Sequence, residues 1–402
     1  MGDSIQRSDS IESSGFPLGF KVAQGSAKPG VVGPAASKDL YRVELRAMGG
    51  HQKEAVVTEG KHGSVFRAVS DEGPGLNGTD LAPNPLSFFT AALPADILGR
   101  FMQLARAQGI AIAAASTTQV NAYAFQGSFM RGDGRGSAVA PLIKLRVSSR
   151  APEAQVAALA RAALTASPLA ALCRAPLGNT FALYANGVRC RFATPAPSSA
   201  PDAPDPLKLW KSVPAPLDPG KDLPGMIAKL GPGVAAAPAP APAQQSAVSP
   251  DPNASVRREI RITGSTRIID SMTESDVLGG TSRWGFRSDE RSTADQAPSA
   301  LAIGAWGVAF CLATQFLRYA DFHKMKIRTV RMVQFSPFET RGHAAEGTLE
   351  AVAHPLDTHI FLHGDESAER MEKLLVMAQN TCYLHALLAA PLEPVLELRL
   401  KG

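Results

Sequence analysis

A stretch of this chain recurs 215 residues further on. Residues 83–183 align on residues 298–398 without a gap. Pro83 falls on Pro298, Leu86 on Leu301, Phe101 on Phe316, Ala105 on Ala320, Gly132 on Gly347 and Leu159 on Leu374. The match is densest at its end, with Ala175-Pro176-Leu177 on Ala390-Pro391-Leu392 and Leu183 on Leu398. A constant offset held over so long a stretch marks a tandem duplication. Whatever unit the chain folds into must therefore be built twice. The length of 402 residues agrees, since it exceeds the usual size of a single core.

Proline and glycine divide the chain around the two copies. Residues 1–38 are rich in Ser, Gly and Pro and are expected to be disordered. A first unit then runs over 39–195. Residues 196–254 form a Pro/Ala-rich linker, expected to be extended, and a second unit fills 255–402. The net charge of +5 comes without any run of five or six Lys/Arg, so no nucleic-acid partner is expected. Four cysteines in so long a chain do not make a disulfide framework, and free thiols fit a reducing cytosol. The N-terminal residues lack the apolar core of a secretory signal and the Ser/Thr of a myristoylation site, so the expected location is cytoplasmic.

Residues 300–317 carry no charge and approach the length of a membrane span. Their counterparts at 85–102 include Pro94, Asp96 and Arg100, which a bilayer span would not tolerate. The repeat therefore reads as a buried central helix, and no membrane partner is expected. In each copy strand-like runs come first, then this helix (about 85–107 and 299–324), then strands alternating every second residue. A second helix with acidic residues in its first turn and a closing strand follow. That order predicts an α+β unit, antiparallel strands around a buried central helix plus a second helix, made twice.

The copies differ where chemistry is possible. Cys382 and His385 stand where the first copy has Ser167 and Ala170, and Cys311 stands where it has Asp96. Residues three apart on a helix share a face, and an imidazole beside a thiol can take its proton or stabilise the thiolate. Against this, a buried cysteine often serves only as a small hydrophobe, and drift after duplication gives the same contrast. Cys173 and Cys190 read as structural. A metal site drawing on His323, His363 and His385 lacks a recognisable ligand spacing. Arg131-Gly132-Asp133 reads as a hairpin turn.

The order of elements and the cysteine positions resemble the OsmC / organic hydroperoxide resistance (Ohr) family, over both units. Members of that family have a proline-led central helix with a reactive cysteine eleven residues on, a second cysteine opening a later helix, and a closing strand. In the first unit the position eleven after Pro85 is Asp96; in the second, eleven after Ala300 is Cys311. The second family cysteine falls on Cys382, and on Ser167 in the first unit. The resemblance implies two intertwined units forming an intramolecular pseudo-dimer, with further self-association left open. It implies a site of Cys311, Cys382 and His385 in the second unit, with Cys382 facing Cys311, and a degenerate first unit. A thiol peroxidase acting on organic hydroperoxides is the first function implied. It would need no resident cofactor or metal, only a dithiol reductant such as a lipoylated protein and a small hydrophobic substrate. The family's glutamate after the proline is absent, replaced by Leu301 and Leu86, and its partner arginine would be sought among Arg283, Arg287 and Arg291. A cysteine-dependent hydrolase using His385 as base on a hydrophobic carbonyl compound, and a non-catalytic small-molecule-binding protein, are the alternatives.

Overall fold

The computed structural model describes residues 9–33, 35–218, 225–233, 256–291 and 295–401. After a short α1 (Ile11–Ser14), the first copy runs β1 (Gly19–Ala23), β2 (Ala35–Ala47), β3 (Lys53–Thr58), β4 (Val65–Ser70), α2 (Pro85–Ala107), β5 (Ala114–Gln126), β6 (Arg135–Ala138) and β7 (Leu142–Ser148). It ends with α3 (Glu153–Ala166), α4 (Pro168–Arg174), β8 (Thr180–Ala185) and β9 (Val188–Arg189), and α5 (Leu207–Lys211) follows. The second copy repeats the order as β10 (Ile227–Pro232), β11 (Val256–Ile269), β12 (Met272–Gly279), β13 (Ser282–Ser288), α6 (Ala300–Phe322), β14 (Ile327–His343), β15 (Glu350–Val352) and β16 (Asp357–Gly364). It closes with α7 (Ala368–Thr381), α8 (Tyr383–Leu388) and β17 (Val395–Lys401). The central helices start 215 residues apart, at Pro85 and Ala300, as do the closing strands, at Thr180 and Val395.

The chain is α+β with two sheets, and neither copy makes a sheet of its own. The first sheet runs β1-β4-β3-β2-β14-β16-β8-β9, with β15 on β14; the second runs β10-β13-β12-β11-β5-β7-β17, with β6 on β5. Each therefore joins the leading strands of one copy to the trailing strands of the other, along the long antiparallel seams β2·β14 and β11·β5. The expectation of purely antiparallel sheets needs correcting. Near one end of each sheet a closing strand pairs parallel, β8 with β16 and β17 with β7. Each closing strand is carried by its two helices from one sheet to the other, so no hairpin ties its direction to that of its neighbour.

The two central helices lie between the sheets. α2 packs on β5, β11 and β12, α6 on β14, β2 and β3, and the helices pack on each other. Asn84 caps α2 by accepting from the Ser87 N–H, with Pro85 at the first helical position, and Ser299 caps α6 by accepting from Ala302. At the crossing, a Cβ on Gly307 would lie 3.1 Å from the Phe89 nitrogen, so glycine permits the close approach. α6 is long and apolar enough to cross a membrane, yet its apolar window is wholly buried inside the protein. The aromatic ring pairs and aliphatic side chains around it form one continuous core shared by both sheets.

Two further expectations are corrected. The segment expected to be disordered, 1–38, carries α1 with a capping box between Ser10 and Ser13, and β1, which pairs with β4. The open edge of β4 offers ladder hydrogen bonds, and Phe20 is buried against the core, so this sequence has partners its composition does not reveal. Residues 1–8 lie outside the described part. The Pro-rich linker, 196–254, is also partly built. Residues 196–217 form a strap over the outer face of the first sheet. The Tyr184 hydroxyl donates to Asp202 at 2.9 Å, Arg331 donates twice to Asp205 at 2.6 and 2.8 Å, and Arg46 stacks on Trp210. Beneath it Ala182, Tyr184, Val333, Phe361 and Ala203 form a small outer core. The matching positions on the second sheet are Thr118, Arg146 and Arg399, which need no cover. The rest of the linker supplies β10 at the edge of β13. Residues 234–255 lie outside the described part.

Candidate active site

Cys311 sits in the middle of α6, about one turn past the close crossing with α2 at Gly307. The chain breaks at Cys382, which ends α7 and is the N-cap of α8. The sequence places Cys382 and His385 on one helix; in the fold, Cys382 is the corner and His385 lies in the first turn of the next helix. The break puts both side chains inward. Cys311, Cys382 and His385 are 2%, 0% and 1% exposed. His385 Nδ1 lies 3.2 Å from Cys382 Sγ, and Cys311 on α6 is the thiol beside Cys382. All four cysteines are free thiols.

The environment assigns the three groups different states. Burial pushes the Cys382 thiol well above its usual range, and the hydrogen bond and charge of Cys311 push it further. The backbone N–H groups of His385 and Leu384 at the start of α8 oppose this without overcoming it. Burial lowers His385 to about 4, so at neutral pH it is an uncharged imidazole, with a buried Nε2 that has no partner. A neutral imidazole offers no positive charge to a thiolate. Its ring lies 5.5 Å from that of Phe181. Access separates the thiols. Cys311 lines a cleft of about 790 Å³ together with Thr314, Gln315 and Arg318 from its own helix and Tyr383 from α8. Cys382 lies behind it.

The first copy supplies other groups to this cleft, and the sequence reading missed them. Glu72 follows β4 and enters the cleft wall, where its carboxylate accepts from Thr314 Oγ1 at 2.6 Å, one turn along from Cys311. Lys53 Nζ, fully buried, lies 3.4 Å from the same oxygen. The signal was present in the sequence: Ser70-Asp71-Glu72 recurs as Ser288-Asp289-Glu290, just outside the gap-free match. The two glutamates behave differently for a local reason. Glu290 accepts from the Ala300 N–H at 2.5 Å. Glu72 meets Pro85 at that position, which has no N–H, and turns instead to Thr314 and Lys53.

At the mirror-image place in the other half, an ion network replaces the thiols. Asp96 accepts from Ser167 Oγ at 2.6 Å and from the Leu169 N–H at 3.0 Å, with Arg100 Nε at 3.4 Å. Burial raises the Asp96 carboxyl despite these partners. Burial and the charge of Asp96 carry Glu290 up to about 7.

The remaining candidates fall elsewhere. Arg283 and Arg287 pair with Asp276 and Glu274 on the second sheet, Arg291 pairs with Asp289, and none of the three lines the cleft. The exchange of strands explains why: what precedes α6 in sequence belongs to the sheet on the far side of α2. The cations that line the cleft with Cys311 are Arg318, stacked on Phe129, and Arg261 of β11, while Lys53 pairs with Glu72. His323 bonds to the Phe129 carbonyl and His363 approaches Asp205, both away from His385. Among the described residues no group of three His, Cys, Asp or Glu is placed to hold a metal. Cys173 is buried in α4, its thiol pushed up to about 12 by burial, and Cys190 is half-buried just after β9. Arg131-Gly132-Asp133 forms the β5–β6 turn, with Gly132 at φ +73° and Asp133 accepting from the Ser128 N–H.

No protein-family model matches this chain, and no curated protein matches it. Among solved structures it is similar to an OsmC-like hydroperoxide resistance protein from Jannaschia sp. CCS1. The likeness is 20% identical, covers 31% of this chain and 81% of that one, and has a TM-score of 0.21. The reading of the site therefore rests on its own geometry.

Proposed function

We propose that this chain is an OsmC-like thiol peroxidase that reduces organic hydroperoxides, with Cys311 as the attacking thiol and Cys382 as the thiol that resolves it. One observation carries this reading: Cys311 and Cys382 are neighbouring thiols in one buried core, and it is Cys311 that lines the cleft. In the first step Cys311 sulfur bonds to one peroxide oxygen, the O–O bond breaks, and the thiol proton ends on the released alcohol. Cys311 is then a sulfenic acid. Cys382 condenses with it, expelling water and leaving a disulfide, which a dithiol reductant reopens by exchange. The raised thiol of Cys382 suits the second role, since it stays protonated until a sulfenic acid is formed beside it. The cycle requires a reducing compartment, for which we propose the cytoplasm, and a small hydrophobic substrate suits the apolar part of the cleft.

The hydrolase alternative is weakened by the position of His385, whose Nδ1 is engaged by Cys382 and not by Cys311. Treatment with cumene hydroperoxide followed by peptide mass spectrometry tests the proposal. A Cys311–Cys382 disulfide, reopened by dihydrolipoamide, is the expected product; both thiols free after peroxide treatment rejects it. A binding protein would be indifferent to Cys311→Ser and to Cys382→Ser, whereas here the first abolishes peroxide consumption and the second leaves a single turnover.

A further inference from the structure

Tyr123 stands on β5, in the first copy, yet its side chain belongs to the surroundings of Cys311. It is 2% exposed, and its ring lies 5.7 Å from that of Tyr383, which lines the cleft. The hydroxyl is buried without a hydrogen-bond partner. Asn121, two residues along β5, accepts from Gln119 at 2.6 Å and donates to Thr90 at 2.9 Å; it lies close enough to lower the phenol somewhat against burial, but not in hydrogen-bond geometry with it. Burial, then the charge of Cys311, holds the phenol well above its usual range, so it remains protonated and keeps a hydrogen to donate. A buried hydroxyl left unpaired is costly, and a ligand that accepts from it relieves that cost. The duplication contains the control. The position matching Tyr123 in the second copy is Phe338, also buried, its ring packed 5.1 Å from Tyr41 in the half that has Asp96 in place of a thiol. Packing at this place in the fold needs a ring and no hydroxyl.

We propose that Tyr123 is a catalytic residue of the Cys311 site, its hydroxyl donating a hydrogen bond to the substrate oxygen that takes up negative charge. This rests on Cys311 being the attacking thiol. As the S–O bond forms and the O–O bond breaks, the electron pair passes to the leaving oxygen. Tyr123 holds that oxygen until the thiol proton reaches it and alcohol departs. A donor already in position and shielded from water stabilises such charge without reorganising. The same donor would serve the oxyanion formed when a thiol attacks an ester.

Tyr123→Phe tests this in the full chain, since Phe338 shows that the fold accepts a phenyl ring here. Two reagents are compared at Cys311 by mass spectrometry. p-Nitrophenyl acetate acylates a thiol through an oxyanion, whereas iodoacetamide alkylates it by displacing iodide and forms none. The expected result is a loss of about 100-fold in acylation, with alkylation within about twofold of the wild type. Unchanged acylation, or equal losses with both reagents, overturns the proposal. Cumene hydroperoxide separates this outcome from the peroxidase reading. A wild type inert to the peroxide, with Tyr123→Phe still showing the selective acylation loss, rejects the peroxidase and keeps Tyr123 as donor. A wild type oxidised by it, with Tyr123→Phe equal in all three reactions, rejects Tyr123 alone.

Discussion

Replacing Glu290 by glutamine should make the protein more stable at pH 8 and leave it nearly unchanged at pH 5. Glu290 lies in the half without thiols, where burial and then the charge of Asp96 raise its carboxyl from 4.5 to about 7. The Ala300 N–H, Arg100 and Lys28 oppose this and lose. Because the folded pKa is the higher one, the folded protein holds a proton that the unfolded chain releases between those values. The contribution to stability is therefore fully present below pH 4.5 and is lost as pH rises through 7. The interval corresponds to about 3 kcal/mol. That figure is an upper bound, because the side chain keeps part of its surface in solvent. Glutamine keeps an acceptor for the Ala300 N–H and carries no charge at any pH. With an unfolding entropy of roughly 2 cal/mol/K per residue, each kcal/mol moves the Tm of this chain by about 1 °C. Scanning calorimetry of both proteins at pH 5, 6.5 and 8 reads the difference. A gap in Tm opening to about 1–3 °C in favour of the variant at pH 8 is expected. A variant that melts below the wild type at pH 8, or a gap that does not change with pH, refutes the assignment of a strained, protonated Glu290.

Four other outcomes follow from the same geometry. Thr314→Val removes a donor from the buried Glu72 carboxylate and should cost about 1–2 kcal/mol in urea unfolding, with no loss refuting the contact. Pro85→Ala restores an N–H at the head of α2, and Glu72 should turn to it as Glu290 turns to Ala300; the double variant with Thr314→Val should then depart from additivity by at least about 0.5 kcal/mol. Because His385 is held near 4, oxidation of Cys311 should show no inflection between pH 5.5 and 7.5 that His385→Asn abolishes, as measured by single-turnover kinetics. Asp205→Ala leaves the 7%-exposed Arg331 without its paired carboxylate and should destabilise by about 1–3 kcal/mol, with faster proteolysis within the strap. A strap equally resistant to protease argues that the ion pair does not hold it.

Much of the site was legible in the chain, and the reason is the duplication. Cys311 and Cys382 stand out because Asp96 and Ser167 occupy the same places 215 residues earlier, so the second copy could be read against the first. Glu72, Lys53 and Tyr123 were missed because each lies in the copy that has Asp96 and Ser167 in place of the two matched cysteines. Pro85 was read as a helix start, which it is; its missing N–H matters only once Glu72 is beside it. The arginines upstream of α6 were sought for the opposite reason, as neighbours in sequence that the fold sends to the other sheet. Composition misled at 9–33 and 196–217, where proline and serine concealed Phe20, Asp202, Asp205 and Trp210 and the partners that order them.

Spacing along the chain was enough for the helices, for most of the strands and for the fact of two equivalent units, since periodicity and capping act within a few residues. Which unit completes which sheet was not encoded at that range. The seams β2·β14 and β11·β5 join strands more than a hundred residues apart, and the choice is made by burying both central helices between two shared sheets. That exchange places a glutamate, a lysine and a tyrosine of one copy around the thiols of the other.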